Sequence, residues 1–242
     1  MIPSEHEFRL ADEADSGVVR ELDNLAFGPG DQRAEPGELE AGVTAGDVHV
    51  LVQGGAPVGY LHADTSRSNR IYVAGVAVHP ELQGRGLGSA LIDRMLALLG
   101  DERHLTPVVT VTSPKNVRML KALLKRGFSA RWFLADHFGP RRHRFGCQLL
   151  TADAPEPVPA VWIPATALDQ VAELMRARQY RVQSIDDNET AGARFGLVPT
   201  HPGDFLAADP PDHLVDPAEL QQERLDRVIR DNLRSSHNDG MW

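Results

Sequence analysis

Residues 76–89 read VAVHPELQGRGLGS. A valine-rich run suited to a pleated, half-buried surface meets a glycine-dense turn, and helix-forming residues follow from Ser89. Backbone N–H groups at the start of a helix have no partner within it, and the helix dipole there favours negative charge. Glycine has no Cβ, so such a backbone can approach a bulky anion closely. Gln83 and Arg85 add side-chain donors, and a pyrophosphate is the ligand this turn suits. A glycine-rich strand-to-helix turn that binds nothing would show the same spacing, because short glycine motifs recur by accident.

Outward from this turn, the first 150 residues alternate strand and helix signals. His6–Leu10 reads as a strand, and Ala11–Phe27 as a helix with Val18, Val19, Leu22, Leu25 and Ala26 at helical spacing. A weaker helical stretch covers Pro36–Val43. Val48–Gln53 and Val58–Asp64 form a hairpin around Gly54-Gly55-Ala56-Pro57. Arg70–Val78 and Thr106–Thr112 are β-rich, with a helix over Ser89–Leu99 between them. Ser113-Pro114-Lys115-Asn116 opens a further helix that Gly127 closes. Gly127–Leu134 and Arg144–Leu150 pair across the turn at Phe138-Gly139-Pro140. The fold class is mixed α/β.

Charge divides the chain. Its 25 basic and 34 acidic residues give a net charge of −9. Residues 1–150 hold 17 basic and 18 acidic side chains, and residues 151–242 hold 8 and 16. Nucleic acid phosphates call for a basic surplus, so a nucleic acid partner is not expected. The single cysteine, Cys147, excludes an internal disulfide and a multi-cysteine zinc site, and it reads as a buried bystander. The opening MIPSEHEFRLADEAD lacks the basic-then-apolar order of a signal peptide, and no apolar run reaches the about 18–20 residues that span a bilayer. A soluble, cytoplasmic protein with no membrane partner is expected. Only three of the basic residues are lysine, a usage typical of GC-rich bacterial genomes.

Two motifs in register resemble the GNAT superfamily of N-acetyltransferases. The family's acetyl-CoA signature, Q/R-x-x-G-x-G/A after a valine-rich strand, is matched by Gln83-Gly84-Arg85-Gly86-Leu87-Gly88. An asparagine after the fifth strand and a helix ending in Gly-Phe are matched by Asn116, Val117–Arg126 and Gly127-Phe128. The resemblance implies a central twisted sheet flanked by helices over residues 1–150, with acetyl-CoA as co-substrate. It implies that Val76, Ala77 and Val78 flank the pantetheine arm, with Val76 and Val78 pairing with it as if it were an added strand. It also implies that the amides of Gly84, Arg85, Gly86, Leu87, Gly88 and Ser89 cradle the pyrophosphate, and that Asn116 contacts the arm from the other side. No metal is implied.

The family pattern thins where protons move. Many relatives place a tyrosine seven residues after the asparagine, where this chain has Leu123. Many also place a carboxylate in the strand before the valines, where this chain has Ala74 and Gly75. None of these three side chains moves a proton. His62 is the candidate general base, with His49, Asp64 and His79 as weaker ones, since a neutral histidine suits proton transfer near pH 7. Arg141-Arg142-His143-Arg144 suits either an anionic ligand or a solvated turn, and Lys115 stands where it could help neutralise a phosphate.

Thr151–Ala160, TADAPEPVPA, reads as a linker. Beyond it, an acidic α/β extension over residues 161–242 is expected. It holds a strand at Val161–Ile163, a helix at Thr166–Arg178, a strand at Tyr180–Ile185, a loop at Asp186–Glu189 and a helix from Asp216 to about Arg234. The extension carries no motif; it suits steering of a cationic amine toward the cleft, a homodimer arm, or a soluble surface. The expected activity is transfer of an acetyl group to a primary amine of a small molecule or peptide, in a ternary complex. The alternative is a noncatalytic acyl-CoA-binding sensor or interaction module.

Overall fold

The computed structural model describes residues 6–27, 34, 37–66, 69–151, 158–176, 179–188, 192–208 and 210. In chain order these give β1 (His6–Leu10), α1 (Ser16–Ala26), α2 (Glu38–Ala45), β2 (Val48–Gln53), β3 (Ala56–Asp64) and β4 (Ile71–Val78). Next come α3 (Leu87–Leu99), β5 (Val108–Thr112), α4 (Val117–Leu124), β6 (Phe128–Leu134) and β7 (Arg144–Leu149). The chain continues with β8 (Val161–Pro164), α5 (Leu168–Arg176), β9 (Tyr180–Asn188) and β10 (Gly192–Pro199). The strands form one sheet in the order β1-β2-β3-β4-β5-β7-β6-β9-β10-β8. Among the described residues only the β4–β5 pair is parallel, because the α3 crossover joins those two strands.

Each face of the sheet buries a separate apolar layer. On one face, α1 and α2 set Val19, Leu22, Leu39 and Val43 against Val48, Val50, Val52 and Tyr60. On the other, the layer under α3 and α4 includes Leu91, Ile92, Leu120, Phe128 and Phe145. Alternation along the strands separates the two sets, since successive side chains point to opposite faces. Among the described residues, no helix is long and apolar enough to cross a membrane.

Residues 161–199 extend this sheet. β9 joins β6 at Ala130–Val182, where the Ser129 hydroxyl donates to the Val182 carbonyl at 2.9 Å. Val171, Met175, Val182, Phe195 and Leu197 lie in the same apolar layer as Phe128 and Phe145, and Phe145 meets Phe195 edge-on at 5.2 Å. Two features depart from the sequence reading. Asp186–Asn188 belong to β9 where a loop was expected, and β10, which pairs antiparallel with β9 on that side, was not anticipated. The expected helix from Asp216 lies outside the described residues.

After β10 the chain turns back across the sheet. Gln148 Nε2 donates to the Leu206 carbonyl at 2.8 Å, and the Arg181 guanidinium pairs with Asp204 at 3.2 Å. Arg131 is sandwiched between the Trp132 and Phe205 rings, at 4.8 and 5.0 Å. Ala208 packs against the cluster of Val109, Trp132 and Leu134, on the face that α1 and α2 leave uncovered.

Two outcomes test this packing. Phe195→Ala should lower a single unfolding transition of the full chain by about 3–5 kcal/mol, because the cavity opens in a shared core. Two transitions in urea, of which the substitution moves only one, would contradict that core. Cys147 is fully buried, and burial pushes its thiol up to about 12. Iodoacetamide at about pH 8 should therefore leave the native protein unlabelled and react only after denaturation.

Candidate active site

The cleft begins with a β-bulge. β3 pairs with β4 as Ala63–Val73 and then His62–Gly75, so Ala74 faces no partner. The extra residue reverses the alternation of the strand. Before it, Ile71 N–H donates to the Pro107 carbonyl, on the side of β5, at 2.9 Å. After it, His79 N–H donates to the Val58 carbonyl, on the side of β3, at 2.8 Å. Counting back by twos from His79, Ala77 and Gly75 face β3, while Val76 and Val78 turn their N–H and C=O groups to the other side.

That other side is open. β4 pairs with β5 only at Ile71–Val108, Tyr72–Val109 and Val73–Thr110. The Thr110 hydroxyl donates to the Val73 carbonyl at 2.8 Å and closes the paired end. Beyond it, Val111 and Thr112 stay with β7, and β4 stays with β3. The two strands splay, leaving the backbone groups of Val76 and Val78 along one wall of a cavity of about 820 Å³.

The glycine turn forms the mouth of this cavity. Gly84 and Gly86 sit at φ +78° and +81°, a left-handed backbone that side chains disfavour. No atom lies within 4 Å of where a Cβ would stand at either position. Gly86 caps α3 without a side-chain hydrogen bond, and the first backbone bond back into the cap comes from Ala90 N–H to Gly86 at 3.0 Å. The amides of Leu87, Gly88 and Ser89 therefore lack a partner inside the helix. Gln83 is turned inward, its amide donating to the Val78 carbonyl at 3.0 Å, which ties the strand end to the turn. Arg85 is exposed, within 3.5 Å of the Glu81 carbonyl, and is not part of the cavity wall.

Asn116 stands across the cleft as the cap of α4. Its Oδ1 accepts from Met119 N–H at 3.1 Å, and its amide NH₂ has no partner among the described residues. These features fit a nucleotide thioester. Bare glycine backbone and unpartnered helix amides suit its phosphates, and an open strand edge suits an extended amide-bearing arm.

Around the inner end, Leu123 is buried in the α3–α4 layer and also lines the cavity. Of the four polar candidates read from sequence, the cavity takes His62 alone. His62 is 5% exposed, rests against Gly42, and makes no hydrogen bond among the described residues. The His49 ring stacks on Phe8 at 5.1 Å, and burial holds its pKa below the ordinary histidine value. Asp64 accepts from Ser66, and the His79 side chain lies off the cavity wall. From the basic cluster Arg144 lines the cavity, its guanidinium 4.8 Å above the Phe138 ring. Lys115 lines it as well, whereas Lys121 pairs with Asp187 of β9 at 3.0 Å.

A pair that the sequence reading missed stands beside the bulge. Asp23, on α1, is 1% exposed and accepts the Tyr60 hydroxyl at 2.6 Å and Ala34 N–H at 3.2 Å. The Tyr60 oxygen is 2.9 Å from where a Cβ on Gly75 would be. The hydroxyl thus fills the space that a side chain at Gly75 would need. Burial first, and then the bond to Asp23, push the Tyr60 pKa far above the ordinary phenol value, so the group stays a neutral donor. The sequence did carry a signal for Asp23. It lies four residues after Val19 and three before Ala26, a carboxylate on the apolar stripe of its helix.

Comparison with known proteins agrees with this geometry. No curated protein matches the chain. Three solved structures share its fold at 15% identity. Naa50 of Arabidopsis thaliana, in complex with the bisubstrate analogue CoA-Ac-MVNAL, gives a TM-score of 0.52 over 60% of this chain and 97% of that one. Ard1 of Thermoplasma volcanium gives 0.53 over 62% and 99%. The ribosomal-protein-S5-alanine acetyltransferase of Vibrio fischeri gives 0.51 over 64% and 98%. Residues 18–128 match the Acetyltransferase (GNAT) family, from α1 through the start of β6. These residues are a domain of the GNAT family, whose members are acetyl-CoA-dependent acyltransferases.

Proposed function

We propose that this protein is an N-acetyltransferase that moves an acetyl group from acetyl-CoA to a primary amine of a small molecule or peptide. The observation that carries this reading is the open edge at Val76 and Val78, continuous with the uncapped start of α3. In this reading the amides from Gly84 to Ser89 hold the pyrophosphate, and Val76, Val78 and the Asn116 amide hold the pantetheine arm. Ala77 lies between the two open residues with its backbone bonded to β3, so it shapes the wall without donating to the arm. Gln83 acts by fixing the turn on Val78. When bound, acetyl-CoA supplies a thioester carbon open to attack by an amine.

The chain's own residues then handle orientation and protons. A strand edge that donates two fixed N–H groups holds a carbonyl oxygen where charge develops, with little reorganisation. Orientation in a closed cleft supplies a further several kcal/mol. An acceptor that arrives as an ammonium loses two protons as the C–N bond forms and the C–S bond breaks. One proton passes to His62 and then to water, and the other ends on the departing sulfur. Leu123 offers no proton at the family's tyrosine position, so no side chain there assists that departure. Leu123 and Gly75 are also what favour the second reading, an acyl-CoA sensor without turnover.

Thiol release separates the two readings. With acetyl-CoA and a panel of amines between about pH 6 and pH 9, the full chain should release CoA for at least one acceptor. Binding without release across the panel would favour the sensor. The cofactor site has its own check in Gly88→Glu. The nearest atom to a Cβ at Gly88 is a Val78 methyl at 4.0 Å, so the side chain fits the fold. An acid in the first helical turn also favours the helix. Melting should therefore be unchanged or raised, while repulsion of the phosphates weakens acetyl-CoA binding by about tenfold or more. Unchanged affinity would contradict the phosphate assignment.

A further inference from the structure

Asp23 is a carboxylate with almost no exposed surface, yet no lysine, arginine or histidine nitrogen among the described residues lies within ion-pair distance of it. Arg20, one turn earlier, pairs with Glu40 and donates to the Ala34 carbonyl, so its charge acts on Asp23 only from beyond ion-pair distance. A buried carboxylate served by one hydroxyl and one backbone amide is poorly compensated, and a cation against it would recover much of the lost solvation. Space for such a cation is present, because Asp23 and Tyr60 both line the cavity beside the Ala74 bulge. An independent observation marks the same spot. His62, on the same face of β3 two residues beyond Tyr60, is 5% exposed and has no hydrogen-bond partner among the described residues.

We infer that Asp23, presented by Tyr60 and with His62 alongside, is the subsite for the positively charged nitrogen of the acceptor. The inference rests on the acetyltransferase reading and deepens it, since it selects cationic amines over neutral nucleophiles of the same shape. Tyr60 acts as a positioning residue. Its hydroxyl holds one oxygen of Asp23 and itself lies against Gly75, the residue after the Ala74 bulge, which keeps the carboxylate on the cavity wall.

The test uses the full chain saturated with CoA. Four primary amines are titrated calorimetrically: butylamine, 1,4-diaminobutane, alaninamide and a tetrapeptide amide with a free N-terminus. Each is compared with its neutral hydroxyl or N-acetyl counterpart. At least one amine should bind about tenfold or more tightly than its counterpart. Asp23→Asn, which keeps an acceptor for the Tyr60 hydroxyl but turns its NH₂ toward the Ala34 N–H, should abolish that preference and lower the melting temperature modestly while leaving acetyl-CoA affinity within about twofold. Tyr60→Phe should reduce the preference without abolishing it. The absence of any preference for amines in the wild type, or a preference that survives Asp23→Asn, would overturn the subsite. Thiol release in the wild type together with a surviving preference would remove the subsite and keep the acetyltransferase reading. Asp23-dependent amine binding without thiol release would keep the subsite and remove the acetyltransferase reading.

Discussion

The rest of the site depends on one extra residue in β4. Were Ala74 held in a regular strand instead of a bulge, the alternation would run on unbroken, and the amides of Val76 and Val78 would bond to β3. With it, those two residues turn outward just where β5 leaves for β7. An unpaired strand edge in the middle of a sheet is costly unless something pairs with it. The same reversal places Gly75 on the face of α1 and α2, against the Tyr60 hydroxyl, so the bulge shapes both sides of the cleft.

The two sides differ in chemistry because they are built from different layers. The mouth is backbone: glycines at positive φ and a helix start with no cap. The inner end is side chain: a buried carboxylate, a phenol held neutral by burial and by that carboxylate, and a histidine with no hydrogen bond among the described residues. The strands after residue 160 lengthen the sheet on the far edge and share its apolar layer. The return segment through Leu206 and Ala208 then packs over β7 and β6, beside Tyr72 and Val111.

Sequence and structure agree most closely where local chemistry is strong. The turn from Gln83 to Gly88 and the Asn116 cap follow from glycine conformation and helix capping, which few residues decide. The strands of the first 150 residues follow from alternation and turn signals. The bulge at Ala74 was not legible, because it depends on the register against β3 rather than on Ala74 itself. The Asp23–Tyr60 contact joins residues 37 apart in sequence and is fixed by the packing of α1 on the sheet. β10 was missed because Gly192 and Gly196 interrupt its apolar pattern. Gly196 is required all the same, since a Cβ there would stand 2.7 Å from Pro159 and 3.0 Å from the Trp162 ring.

Amide hydrogen exchange with and without acetyl-CoA tests the central claim most directly. Gly75 and Ala77 are already bonded to β3 and should not change, whereas Val76 and Val78 should slow by about tenfold or more as the open edge finds a partner. Uniform protection along the strand would mean general stabilisation rather than strand pairing. Unchanged exchange at Val76 and Val78, with acetyl-CoA saturating, would contradict the account.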